Sequence, residues 1–218
     1  MGTITRGFAN NITTSGVLLP ASLNNNSIAN VTAYNASITT GNMILISSQT
    51  ASDSASISFT TGINSTYKEY QFYFIDINPA TNGVSFDFNM STDGGSNYNV
   101  IKTTTAFHAF NYESGAGGGI SYRTDRDLAQ STAFAPLSDI DKGNGADESG
   151  SGLLTLFNPA STTYVKHFLS DYTYVHQADL AINQIVAGYG NTTSAVNAVR
   201  FQMSSGNFDG TILMYGIK

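Results

Sequence analysis

The residues of this chain best suited to chemistry are few: His108, His167 and His176, and the carboxylate pairs Asp125 with Asp127, Asp139 with Asp141 and Asp147 with Glu148. Histidine beside a serine and an aspartate would build an acyl-transfer triad, and two histidines one helical turn apart would hold zinc. Paired carboxylates are what glycoside hydrolysis requires. The spacing supports none of these. No two histidines share a metal-ligand interval, and no G-x-S-x-G elbow marks a nucleophile. Gly115 to Gly119 is not a phosphate loop, because the Gly-Lys-Ser/Thr ending and the helix after it are missing. The chain is expected to be no enzyme and to use no cofactor.

Asp125 and Asp127 sit among Arg123 and Arg126, which is the pattern of charge balancing on a surface turn. Asp139-x-Asp141-x-Gly143-Asn144 begins like a calcium loop and then departs from it, with glycine at the fifth position and asparagine at the sixth. A solvated loop over 138–151 is the simpler expectation for SDIDKGNGADESGS. Asn-x-Ser/Thr triplets recur in a chain rich in both partners and are expected by chance. Tyrosine is abundant, twelve in all. Rings with neighbouring Asn and Asp could stack on sugars, and they could equally line strand ends and subunit interfaces. The segments 111–127 and 138–151 are therefore the candidate contact loops, with Tyr112, Tyr122, Asp139 and Asp141 as exposed contact residues for a host-surface glycan.

Composition excludes several classes. A net charge of −6 leaves no basic patch with which to neutralise phosphates, so nucleic acid is not an expected partner. No apolar run is long enough to span a bilayer, and MGTITRGFANNITTSG carries no secretory h-region. Without cysteine there is no disulfide framework, and synthesis in a reducing cytoplasm is expected. Only 11% of residues are charged, against roughly a quarter in ordinary domains. Ser, Thr, Asn and Gly replace them, as on a neutral shell that packs against copies of itself.

The elements that must position these residues are strands. Ile57 and Phe59, then Tyr70, Phe72 and Phe74, then Val84, Phe86, Phe88 and Met90 alternate with polar residues across 54–100, the period of half-buried strands. Asn82-Gly83 and Asp93 to Asn97 supply reversals between them, so three consecutive antiparallel strands joined by hairpins are expected. Further strands follow in MILISSQ, IKTTTAFHAFNY, GLLTLF, TTYVKHFLSDYTYV, AVNAVRFQM and TILMYGI. Residues 179–190 read better as a strand than as a helix. About ten close-set strands without a secure helix predict an all-β antiparallel β-sandwich, of jelly-roll or related Greek-key type, over 41–218. Residues 1–40 lack periodicity and predict an extended N-terminal arm. Phe8, Leu18, Leu19 and Ile28 would be its anchors on a partner, since four large apolar residues are out of place on a solvated tail.

Several long phrases carry a family resemblance: MGTITRGFANNI, the whole of 51–100, DLAQST, LFNPASTTYVKHF, AGYGNTTSAVNAVRFQMSSGNFDGTI and the closing MYGIK. Across most of its length the chain resembles virion structural proteins of tailed bacteriophages, especially those of aquatic bacteria. That resemblance implies a β-sandwich on the virion surface, as head decoration or a fibre component. It further implies a homotrimer in contact with capsid, neck or tail proteins, and it carries no catalytic residues.

Overall fold

The computed structural model describes residues 12–13, 16–17 and 42–218. The chain divides after Gly41 into two units. In the first, β1 (Ile12–Thr13) and β2 (Gly16–Val17) form a two-stranded antiparallel ribbon. The expected anchors Phe8, Leu18, Leu19 and Ile28 lie outside the described residues.

The second unit is all β. Its strands are β3 (Met43–Ser54), β4 (Ser56–Phe59), β5 (Glu69–Pro79), β6 (Phe86–Ser91), β7 (Lys102–Tyr112), β8 (Gly118–Tyr122), β9 (Ala135–Pro136), β10 (Gly150–Phe157), β11 (Lys166–His176), β12 (Leu180–Gly190), β13 (Ala198–Met203) and β14 (Phe208–Ile217). They form an eight-stranded sheet, β3-β14-β5-β10-β11-β12-β7-β8, and a four-stranded sheet, β4-β13-β6-β9, with every pairing antiparallel. Setting aside β7, β8, β11 and β12 leaves eight strands. Numbered in chain order, they run first-eighth-third-sixth in one sheet and second-seventh-fourth-fifth in the other. That interleaving is the double Greek key of a jelly roll. The four strands set aside all lengthen the large sheet at one end.

Alternation over 56–91 therefore marks strands but not hairpins. β4 and β6 lie in the small sheet while β5, between them in the chain, lies in the large one. Gly83 does adopt the positive φ of 72° that the turn requires, yet the connection crosses between sheets. Among the described residues of this second unit, only β7–β8, β10–β11 and β11–β12 are hairpins. Strand periodicity encodes which side chains point inward, and both sheets of a sandwich need the same alternation, so pairing is left open.

Between the sheets lies an aromatic core. Phe201 of β13 packs on Phe72 at 5.3 Å and on Phe74 at 5.1 Å, and Phe74 meets Phe86 edge-on at 5.1 Å. Each such pair contributes about 0.5–1.5 kcal/mol beyond its area.

Three of the nine cationic side chains, Lys102, Lys142 and Lys166, are fully buried. Lys102 Nζ donates to Asn89 Oδ1 at 2.6 Å and to the Val100 carbonyl at 2.7 Å, and Lys142 Nζ donates to the Glu148 carbonyl at 2.7 Å. Burial pushes the Lys102 and Lys142 ammonium groups down to about 7, and for Lys142 the charge of Glu148 opposes this. Buried Asp87 is moved the other way by the same cause, up to about 7. The unfolded chain titrates its lysines near 10.4 and its aspartates near 3.9, so the signs follow. Between about pH 7 and pH 10 the unfolded state holds lysine protons that the folded state has released, and stability rises with pH by up to about 4 kcal/mol per lysine. Between about pH 4 and pH 7 the folded state holds the extra Asp87 proton, and its contribution is lost as pH rises. Denaturant midpoints across pH should show the alkaline rise, and Lys102→Met should flatten it. An unchanged slope in that variant would exclude Lys102 as its source.

Candidate functional site

Phe88 and Phe86 of the small sheet pack on Phe168 and Tyr172 of β11. The chain over 123–142 extends the cover, with the Arg123 N–H on the Ala106 carbonyl, the Thr104 N–H on the Leu128 carbonyl and the Asp139 N–H on the Tyr174 hydroxyl. Where that cover ends, a cleft of about 230 Å³ opens, lined by His108, Phe110, Tyr112, Ser121, Arg123, Asp139, Asp141, His176, Leu180 and Ile182. Strand register assembles it. Tyr112 stands opposite Leu180 and Leu180 opposite His176, Phe110 stands opposite Ile182, and His108 opposite Ser121. Even-numbered residues of β7 point inward from Lys102 to His108, and the open end leaves Phe110 and Tyr112 progressively exposed.

The floor is a buried ion cluster. Asp139, 2% exposed, receives Arg123 Nη2 at 2.7 Å on Oδ2 and Arg126 Nε at 2.9 Å on Oδ1. Both guanidinium groups also reach Asp125 at 3.1 Å. The Asp139 backbone N–H donates to the Tyr174 hydroxyl at 2.8 Å, which fixes the loop over the sheet. His108 lies beside this cluster, with Nδ1 3.8 Å from Asp139 Oδ2. Burial first, and then the charge of Arg123, lowers its pKa, so the imidazole is neutral at pH 7. At the rim, His176 Nδ1 accepts the Ala178 N–H at 3.0 Å, which places the ring proton on Nε2, 3.6 Å from Asp141 Oδ2.

Three of the four expected contact residues thus meet in one cleft: Tyr112, Asp139 and Asp141. Tyr122 does not; it points to the opposite face of β8, and its hydroxyl donates to Asp127 Oδ2 at 2.6 Å. Asp139 is also not an exposed contact residue, and 138–151 is not a wholly solvated loop. Ser138, Asp139 and Lys142 are buried because each polar group has a partner inside the fold: Phe86 N–H for the serine, the two arginines for the aspartate and a carbonyl for the lysine. Both Asp139 oxygens are held by guanidinium groups, so the calcium-loop pattern loses its first ligand. Among the described residues no group of three or more His, Asp and Glu is placed to hold a metal ion. Sequence reasoning missed His108, Arg123 and His176 as members of the site. Inward alternation along IKTTTAFHAFNY could have found His108; the other two are joined to the cleft by tertiary contact alone.

The outward face of the large sheet carries a different feature. Leu213, Tyr73, Leu153, Asp171, Ile185, Phe107 and Tyr122 stand opposite one another in one row across seven strands. A second row runs Leu45, Tyr215, Gln71, Thr155, Leu169, Ala187, Thr105. A third runs Met43, Ile217, Glu69, Phe157. Among the described residues, eight of the twelve exposed large hydrophobic side chains lie on this face: Met43, Leu45, Ile75, Phe107, Ile120, Tyr122, Phe157 and Leu169. The only formal charges in the rows are Glu69 and Asp171, and each is met locally, by Gln71 Nε2 at 2.7 Å and Asn183 Nδ2 at 2.5 Å. Solvated faces of antiparallel sheets ordinarily alternate to polar residues, and this face departs from that pattern.

Compared with protein families and with curated proteins, the chain matches none of them.

Proposed function

We propose that this chain is a non-enzymatic structural protein of the virion surface, a head decoration or head fibre that assembles as a homotrimer. The observation that carries the reading is the outward face of the eight-stranded sheet, whose apolar rows contain no cationic side chain and only two locally paired carboxylates. Such a face can meet a copy of itself without like-charge repulsion, and burying it stabilises an assembly. In a three-fold ring the contact is heterologous, so the β3–β14 side of one subunit packs on the β7–β8 side of the next. The resemblance to phage structural proteins and the low charge content support the same reading. Residues 1–40 supply the anchor to capsid, neck or tail, through Phe8, Leu18, Leu19 and Ile28.

Gold labelling of the protein on intact particles tests its position. Label over the head is the expected result. Label confined to the neck or tail would overturn head decoration in favour of the alternative, a tail-associated fibre or receptor-binding module, and unlabelled particles would remove the virion assignment altogether. Deleting residues 2–40 is expected to abolish incorporation while 41–218 keeps its β circular-dichroism spectrum. Truncated protein that still joined particles would refute the anchoring role.

A further inference from the structure

The cleft between β7, β8, β12 and the 138–142 loop has no part in the assembly proposed above, because it opens on the inner side of the sheet and the apolar rows lie on the other. Its chemistry is mixed within a small space. Donors are present in the Arg123 guanidinium and the His176 Nε2–H, and acceptors in the Asp141 carboxylate and the Ser121 hydroxyl. An anion would meet Asp141 and Asp139; a cation would meet Arg123. A ligand that both donates and accepts from adjacent atoms satisfies the lining, and vicinal hydroxyl groups do this. Phe110, Leu180 and Ile182 supply an apolar wall, with Tyr112 at the mouth, against which the C–H face of a sugar ring can lie.

Two further observations point to a ligand. His108 is 5% exposed and its Nδ1 has no hydrogen-bond partner, and the buried Arg123 Nε has none either. Buried polar atoms are nearly always paired, and an unpaired one calls for a partner such as a bound group or water. The volume of about 230 Å³ falls below the ~300–1,000 Å³ of pockets that take drug-sized ligands, which limits the occupant to about one ring.

We infer that this cleft is a saccharide-binding site that takes a single uncharged sugar residue, with Asp141, His176 and Arg123 engaging hydroxyl groups and Tyr112 and Phe110 the ring face. Saturation-transfer NMR on the full chain, off the particle, with glucose, galactose, mannose, rhamnose and N-acetylglucosamine as probes, is the test. At least one sugar should give saturable transfer, and Tyr112→Ala and Asp141→Asn, both at the exposed rim, should each weaken it about ten-fold or more. Glucuronic acid should bind more weakly, because it adds a negative charge to a cleft lined by Asp141 and Asp139. No transfer from any of the neutral sugars, tighter binding of the acid, or wild-type affinity in both rim variants would overturn the assignment. Because no particle is involved, failure here is separate from failure of the virion reading.

Discussion

A Phe107→Glu, Leu169→Glu double variant is expected to run as a monomer where the parent chain runs as a trimer, with an unchanged β spectrum. Both positions are about four-tenths exposed in the single chain and lie on the outward face of the large sheet. Phe107 stands between Ile185 and Tyr122, and Leu169 between Thr155 and Ala187. In the folded subunit the new carboxylates reach water, so folding is little affected. In the assembly each would be buried beside apolar neighbours without a cation, at several kcal/mol apiece. Two per contact weaken association by at least about a thousand-fold. Light scattering coupled to size-exclusion chromatography reads the mass directly. Ile140→Glu, an equally exposed position outside the rows, is the control and should leave the trimer intact. A parent chain that is monomeric at every concentration, or a double variant that still assembles, would remove this face as the interface.

The interface and the cleft were legible to different degrees. Alternation in EYQFYFIDI and KHFLSDYTYV shows one inward and one outward set of side chains, and the fold class follows from enough such stretches. That the outward set is itself apolar was visible in Tyr73, Ile75, Leu169 and Phe107. Its meaning was not, because nothing local says that these four residues share one sheet. The jelly-roll order arises from cross-sheet connections such as Asn82-Gly83, where the turn chemistry is local and the partner strand is more than a hundred residues away. Asp139 fails for a related reason. A polar loop rich in Gly, Asp and Ser reads as solvated, and only the fold brings Arg123 and Arg126 under it. Lysine burial is invisible for the same cause: Lys102, Lys142 and Lys166 sit in sequence contexts no different from an exposed strand end.

Asp139 is where local polarity and tertiary burial disagree most, and replacing it should have the largest stability effect of any single polar substitution in the cleft. Asp139→Ala leaves Arg123 and Arg126 without their buried carboxylate. Removing one partner from a buried charge network costs about 3–5 kcal/mol, against about 0–1 kcal/mol for an exposed pair. Arg123 and Arg126 side chains are 24% and 11% exposed and keep Asp125, so the lower end of that range, about 3 kcal/mol, is expected. For a domain of this size that lowers Tm by about 6–12 °C. The Arg123→Met, Arg126→Met, Asp139→Ala triple variant should recover most of the loss, because no buried charge is then left unpaired and Asp125, 53% exposed, is left to water. Scanning calorimetry of the two variants beside the parent chain separates the possibilities. Recovery in the triple variant makes the cluster a charge-balancing device of the fold. A triple variant less stable than Asp139→Ala would mean that the arginine stems, not their charges, hold the loop, and the 138–142 cover would then be a packing element that happens to contain an ion pair.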